Sequence, residues 1–131
     1  MSGAGVALVT CDFILDPWLD EIADRLADRG FEVLRGPPQQ PPAKTKFEGE
    51  DITRLFGRSD IVVTTTRSII SREALESPRL RAVVFPSIGT ESVDLSTADD
   101  LGIAVAHGPT PENFQARQQI WHLAPATTQE L

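Results

Sequence analysis

Cys11 is the only cysteine of this 131-residue chain, and His107 and His122 are its only histidines. A lone thiol excludes an internal disulfide and a thiolate cluster, and no metal centre is expected. The remaining side chains and amides that could do chemistry fall into three groups. Cys11 with His107 as base would make a nucleophilic pair, which needs hydrogen-bond reach of about 3 Å. A phosphate or dinucleotide site needs a glycine-rich turn after a strand, yet Gly3 and Gly5 precede the first apolar run. Neither GxGxxG nor GxxxxGK[ST] occurs anywhere in the sequence. The third group is Ser87-Ile88-Gly89-Thr90, a tight turn whose successive amides could face a carboxylate, with Arg67 adding charge. Its plain alternatives are a simple strand-to-helix connection and a solvated arginine.

The elements that must position these residues are readable from pattern. Val6–Thr10 is a buried β-branched run, and Asp16-Pro17 opens a helix with Asp16 as N-cap and Pro17 in its first turn. Trp18, Ile22 and Leu26 repeat on one helical stripe until Arg29 and Gly30 close it. Phe31–Leu34 resumes as a second strand, so the unit is βαβ and parallel. Gly36–Lys46 carries four prolines and reads as an extended surface connection. A short helix over 51–56, a strand over 61–65, a helix capped by Ser71, a strand over 80–85, a helix capped by Asp94 and a strand over 103–106 follow. Five strands alternating with helices predict an α/β fold: a flavodoxin-like, doubly wound parallel sheet of order 2-1-3-4-5 with helices on both faces.

That order gathers Cys11, Asp12, Thr66, Arg67, Ser68, the 87–90 turn and His107 at the carboxyl edge of the sheet, where such folds bind ligands. It also separates Cys11 from His107 by three strand spacings, about 14 Å, so Cys11 reads as a packing residue. A phosphoacceptor receiver needs an aspartate ending strand three and a lysine ending strand five. Thr65-Thr66 and Ala106-His107 stand there instead.

Composition narrows the partners. Hydrophobic residues are 40% and charged residues 24% of the chain, enough to close one core. The net charge of -7, with Lys44 and Lys46 the only lysines, disfavours nucleic acid and anionic membranes as partners. The absence of a signal-like start or a long apolar run makes a soluble, cytoplasmic protein the expectation.

The stretch from Asp60 to Asn113 carries a resemblance. It runs Asp60-Ile61-Val62-Val63-Thr64-Thr65-Thr66-Arg67-Ser68, Ser71-Arg72-Glu73-Ala74-Leu75, and Pro78-Arg79-Leu80-Arg81-Ala82-Val83-Val84. Gly89-Thr90-Glu91-Ser92-Val93-Asp94-Leu95, Leu101-Gly102-Ile103-Ala104-Val105 and Gly108-Pro109-Thr110-Pro111-Glu112-Asn113 complete it. This resembles the N-terminal substrate-binding domain of the D-isomer-specific 2-hydroxyacid dehydrogenases, the phosphoglycerate dehydrogenase-like family. The likeness implies that residues 1–108 form that domain and that 109–131 are a truncated inter-domain helix and a frayed tail. It implies substrate contacts at Arg67, Ser68, Ser87, Ile88 and Gly89, although Pro86-Ser87-Ile88 replaces the glycines typical of that turn.

The full-length family uses NAD to interconvert 2-hydroxy and 2-keto acids. Its dinucleotide loop, keto-acid arginine, glutamate and acid/base histidine have no counterpart in this sequence, and His122 lies too early to be that histidine. No cofactor is therefore expected in this chain, no catalytic residue is assigned, and hydride transfer by it alone is not expected. The apolar face that the family's C-terminal helix covers implies association, as a homo-oligomer or with a full-length relative. Two other readings stay open: a non-catalytic module binding a small carboxylate or a partner, and an enzyme of unrelated chemistry at the Cys11, Asp12 and Arg67 edge.

Overall fold

The computed structural model describes residues 5–86 and 93–107. In chain order the elements are β1 (Gly5–Val9), α1 (Asp16–Asp28), β2 (Phe31–Arg35), β3 (Thr45–Lys46) and α2 (Glu50–Arg54), then a single 3-10 turn (Phe56–Arg58). They continue with β4 (Ile61–Val63), β5 (Ser68–Ile69), α3 (Arg72–Leu75), β6 (Ala82–Phe85), α4 (Leu95–Asp100) and β7 (Ala104–His107). The main sheet has the order β2-β1-β4-β6-β7 and every pairing in it is parallel. Counting only its five strands, this is the doubly wound 2-1-3-4-5 order.

Alternation along the strands makes two cores. Ala7, Val9, Ile61, Val63 and Val84 face Leu19, Ile22, Ala23 and Leu26 of α1. Leu8, Val62, Val83 and Phe85 point the other way, into a core with Phe47, Ile52, Leu55, Phe56, Leu75 and Ala98. Helix α1 therefore covers one face, while α2, the 3-10 turn, α3 and α4 cover the other. Phe47 and Phe56 meet edge to face there, with centroids 5.1 Å apart and planes at 71°.

At the amino ends of the strands, the Asp60 carboxylate ties two neighbours. Its Oδ2 accepts from Val6 N at 2.9 Å, and Arg79 Nη2 donates to the same oxygen at 3.2 Å. Gly5 passes this carboxylate at φ 120°, where a Cβ would lie 2.6 Å from Asp60 Oδ2. Only glycine suits that position.

Two features differ from the sequence reading. Asp16 does not cap α1: the capping position is Leu15, without a side-chain bond, and Asp16 Oδ1 instead accepts from Asp12 N at 2.7 Å. The carboxylate is drawn backwards because the turn before the helix has an amide that needs a partner. The proline segment also ends in a strand that composition did not reveal. β3 pairs in parallel with β5 in a separate two-stranded sheet, Thr45 with Ser68 and Lys46 with Ile69. Ser71 and Asp94 do cap their helices, the first accepting from Ala74 N and the second from Ser96 N and Thr97 N.

Phe56 is wholly buried, so Phe56→Ala is expected to cost about 3–5 kcal/mol. Comparing urea midpoints of the two proteins at one m-value measures it.

Candidate functional site

The site is built where β1 and β4 leave the sheet side by side. Asp12 follows β1 and is 0% exposed. A buried carboxylate persists only when its lone pairs are filled, and here four donors fill them. Oδ1 accepts from Ile14 N at 2.8 Å and Leu15 N at 2.9 Å. Oδ2 accepts from Thr65 Oγ1 at 2.7 Å and from Arg67 Nη1 at 3.0 Å. Burial pushes the Asp12 carboxyl up, but the bonds from Thr65, Leu15, Ile14 and Arg67 together outweigh it and hold the group below the usual aspartate range.

Arg67 is fixed from three sides. Asp12 holds Nη1, the Phe13 ring lies 5.4 Å from the guanidinium carbon, and the Arg67 carbonyl accepts from Thr45 N at 2.9 Å. Its own amide donates to Thr65 Oγ1 at 3.2 Å. The side chain keeps 33% of its surface exposed, so it is a fixed cation facing solvent rather than a swinging one.

Ser68 takes a different place from the one expected. It is 1% exposed, and its hydroxyl bonds to Thr64 Oγ1 and to the Thr65 carbonyl. Thr64 Oγ1 in turn accepts from Thr10 Oγ1 at 3.0 Å. These three hydroxyls are buried and bonded to one another. Ser87, Ile88 and Gly89 lie outside the described residues. Phe85, which ends β6, leads to them from the strand beside β4, since Thr64 N donates to Val84 O at 3.0 Å.

Cys11 and His107 are not brought together. His107 ends β7, three strands from β1, or about 14 Å across the sheet. Cys11 donates to Gly36 O at 3.3 Å, and burial pushes its thiol up against the opposing pull of Arg35. A raised thiol is a poor nucleophile at neutral pH. The β1–α1 turn does not fit a dinucleotide either. The amides of Ile14 and Leu15, the ones a pyrophosphate would need, are taken by Asp12, and a second carboxylate, Asp16, stands beside them. Among the described residues, no three His, Cys, Asp or Glu side chains are grouped to hold a metal ion. No helix among them is long and apolar enough to cross a membrane.

Sequence reasoning named Asp12 and Arg67 as edge residues but missed their pairing, and it missed Thr65 and Arg35. Arg35 donates from Nε to Val9 O at 2.9 Å and from Nη1 to Asp20 at 2.7 Å, bracing the β1 exit. The run Thr64-Thr65-Thr66 at a strand end was the available signal for Thr65, because hydroxyls there can bond across to the next strand.

Removing the buried carboxylate by Asp12→Ala is expected to lower stability by about 2–4 kcal/mol at pH 7, two turn amides losing their acceptor and Arg67 its partner. Because the folded pKa lies below the unfolded one, that contribution is complete above the ordinary aspartate range and fades as pH falls through the folded value. Denaturation midpoints from pH 7 to pH 2 should therefore converge for the two proteins at the acid end. Cys11 should react with iodoacetamide at least about tenfold more slowly in the folded than in the urea-unfolded chain at pH 7.5.

A family model, D-isomer specific 2-hydroxyacid dehydrogenase, catalytic domain, matches residues 14–113. Among solved structures, the chain is similar to apo D-lactate dehydrogenase from Escherichia coli, with 17% identity and a TM-score of 0.58 over 82% of this chain and 31% of that one. It is also similar to NAD-bound 3-phosphoglycerate dehydrogenase from Entamoeba histolytica, with 17% identity and a TM-score of 0.62 over 81% of this chain and 33% of that one. NAD-dependent formate dehydrogenase from Staphylococcus aureus gives 19% identity and a TM-score of 0.58, over 78% and 30%. The chain spans about a third of the length of these three structures, and at such identities they speak for the fold. The family model covers well over half of the sequence, and the chain belongs to the D-isomer-specific 2-hydroxyacid dehydrogenase family through its catalytic domain.

Proposed function

We propose that this chain is the substrate-binding part of a D-2-hydroxyacid dehydrogenase, receiving the carboxylate of a 2-hydroxy or 2-keto acid between Arg67 and the amides of Ser87, Ile88 and Gly89. The observation that carries this reading is the fixed, half-open Arg67, held by the buried Asp12 at the carboxyl edge of the sheet. A guanidinium whose position is set in advance loses little freedom on meeting a carboxylate. Hydride transfer in the family takes NAD, which supplies and accepts the hydride. The β1–α1 turn is unsuited to that cofactor, so this part of the reaction falls to residues other than those described. The role of the present residues is to bind and orient the acid.

Membership of a dehydrogenase family also supports association, with a second copy or a full-length relative. The second reading is a non-catalytic module for a small carboxylate, and it rests on the same arginine. Two measurements separate the readings. Adding pyruvate or a longer 2-keto acid to the ¹⁵N-labelled chain should shift the amide signals around Arg67 saturably, and Arg67→Ala should weaken that binding about tenfold or more. Under the first reading, oxidation of NADH by the keto acid requires the chain to be combined with a cofactor-binding domain of the family. Binding without turnover in that combination favours the second reading, and turnover by the chain alone overturns both.

A further inference from the structure

We propose that the acid bound here carries an apolar side chain, and that Phe13 and Ile14 are the residues that select it. This inference rests on the carboxylate reading at Arg67 and deepens it to a substrate class. Among the described residues, four large hydrophobic side chains stand exposed: Phe13 at 51%, Ile14 at 54%, Ile69 at 41% and Leu95 at 52%. Three of the four fall within two residues of Asp12 or Arg67, and only Leu95, on α4, lies apart. Scattered exposure is ordinary, but an exposed aromatic ring set beside a fixed cation, with exposed Ile14 next to it in the chain, is not.

The arrangement has a physical cause. Asp12 draws the amides of Ile14 and Leu15 onto its Oδ1, which closes a tight turn between β1 and α1. Phe13 N is likewise anchored, donating to Gln39 Oε1 at 3.1 Å. Closing this turn leaves the Phe13 and Ile14 side chains in solvent while the backbone is held by three hydrogen bonds. Phe13 lies with its ring 5.4 Å from the Arg67 guanidinium carbon, so an apolar wall stands directly beside the charge. Asp12 also neutralises much of that charge. The pair favours a ligand with one carboxylate and an oily remainder over one with a second anionic group.

The opposing chemistry is also near. Lys44 and Lys46 flank Thr45, whose amide donates to the Arg67 carbonyl, and they could serve a dicarboxylate or a phosphorylated acid. The Phe13 ring lies beside the guanidinium itself, which is why an apolar acid is favoured.

The test is an amide-shift titration of the 131-residue chain with pyruvate, 4-methyl-2-oxopentanoate, phenylpyruvate and 2-oxoglutarate. The two apolar acids are expected to bind about tenfold more tightly than pyruvate, and 2-oxoglutarate no better than pyruvate. Ile14→Ser, at an exposed position where the fold should survive, is expected to reduce that preference to about twofold or less. Phe13→Ser serves as the second variant, with its amide spectrum checked for retention of the fold. Equal binding of all four acids, or tighter binding of 2-oxoglutarate, overturns the apolar selection and leaves the carboxylate site standing. A preference that survives both variants assigns it elsewhere and overturns the role of Phe13 and Ile14. If no acid shifts any amide near Arg67, the carboxylate reading falls and this inference falls with it.

Discussion

A carboxylate with no water around it must find every hydrogen bond it needs within the protein, and Asp12 arranges its surroundings by that requirement. It takes two amides from the turn ahead of α1, a hydroxyl from Thr65 and a guanidinium nitrogen from Arg67. The turn, the exit of β4 and the Arg67 guanidinium are thereby one construction. Remove the carboxylate and each part loses its reason to be where it is. The small β3–β5 sheet adds the last restraint by holding the Arg67 backbone through Thr45.

The opposite end of the sheet is built on the same chemistry with a different purpose. Asp60 accepts from Val6 N and from Arg79, and Gly5 leaves room for it. Those contacts tie the start of β1 to the residue before β4, with the Asp60 side chain 15% exposed and that of Arg79 55%. At the carboxyl end the acid is buried and its arginine is left partly open.

The sequence made the five strands, their order and most helix ends legible, because each depends on local pattern: apolar runs of strand length, Ser71 and Asp94 at caps, Gly30 and Gly102 at stops. Arg67 was legible as an edge residue for the same reason. The Asp12–Arg67 pair was not, since its members are far apart in the chain and nothing local to either announces the other. Ser68 was expected in the cleft from the family resemblance, yet it opens β5 as a buried residue while Arg67, in the turn before it, stays partly exposed. β3 escaped notice because two residues after a proline run carry too little periodicity. Asp16 looked like a cap on composition, but a competing amide four residues back claimed it.

The position of β1, second in the order and paired on both sides, has a consequence for how the chain comes to be folded. Its two neighbours arrive at different times: β2 follows directly, whereas Val9 must wait for Val63 before its other side is paired. A nascent chain that has emerged only as far as Lys46 holds β1, α1 and β2 with one flank of β1 bare and apolar. Contacts so distant in sequence are slow to form, and unpaired strands in that interval are prone to aggregation. Because Asp12 and Arg67 span that same gap, their pair is assembled in the step that joins β4 to β1.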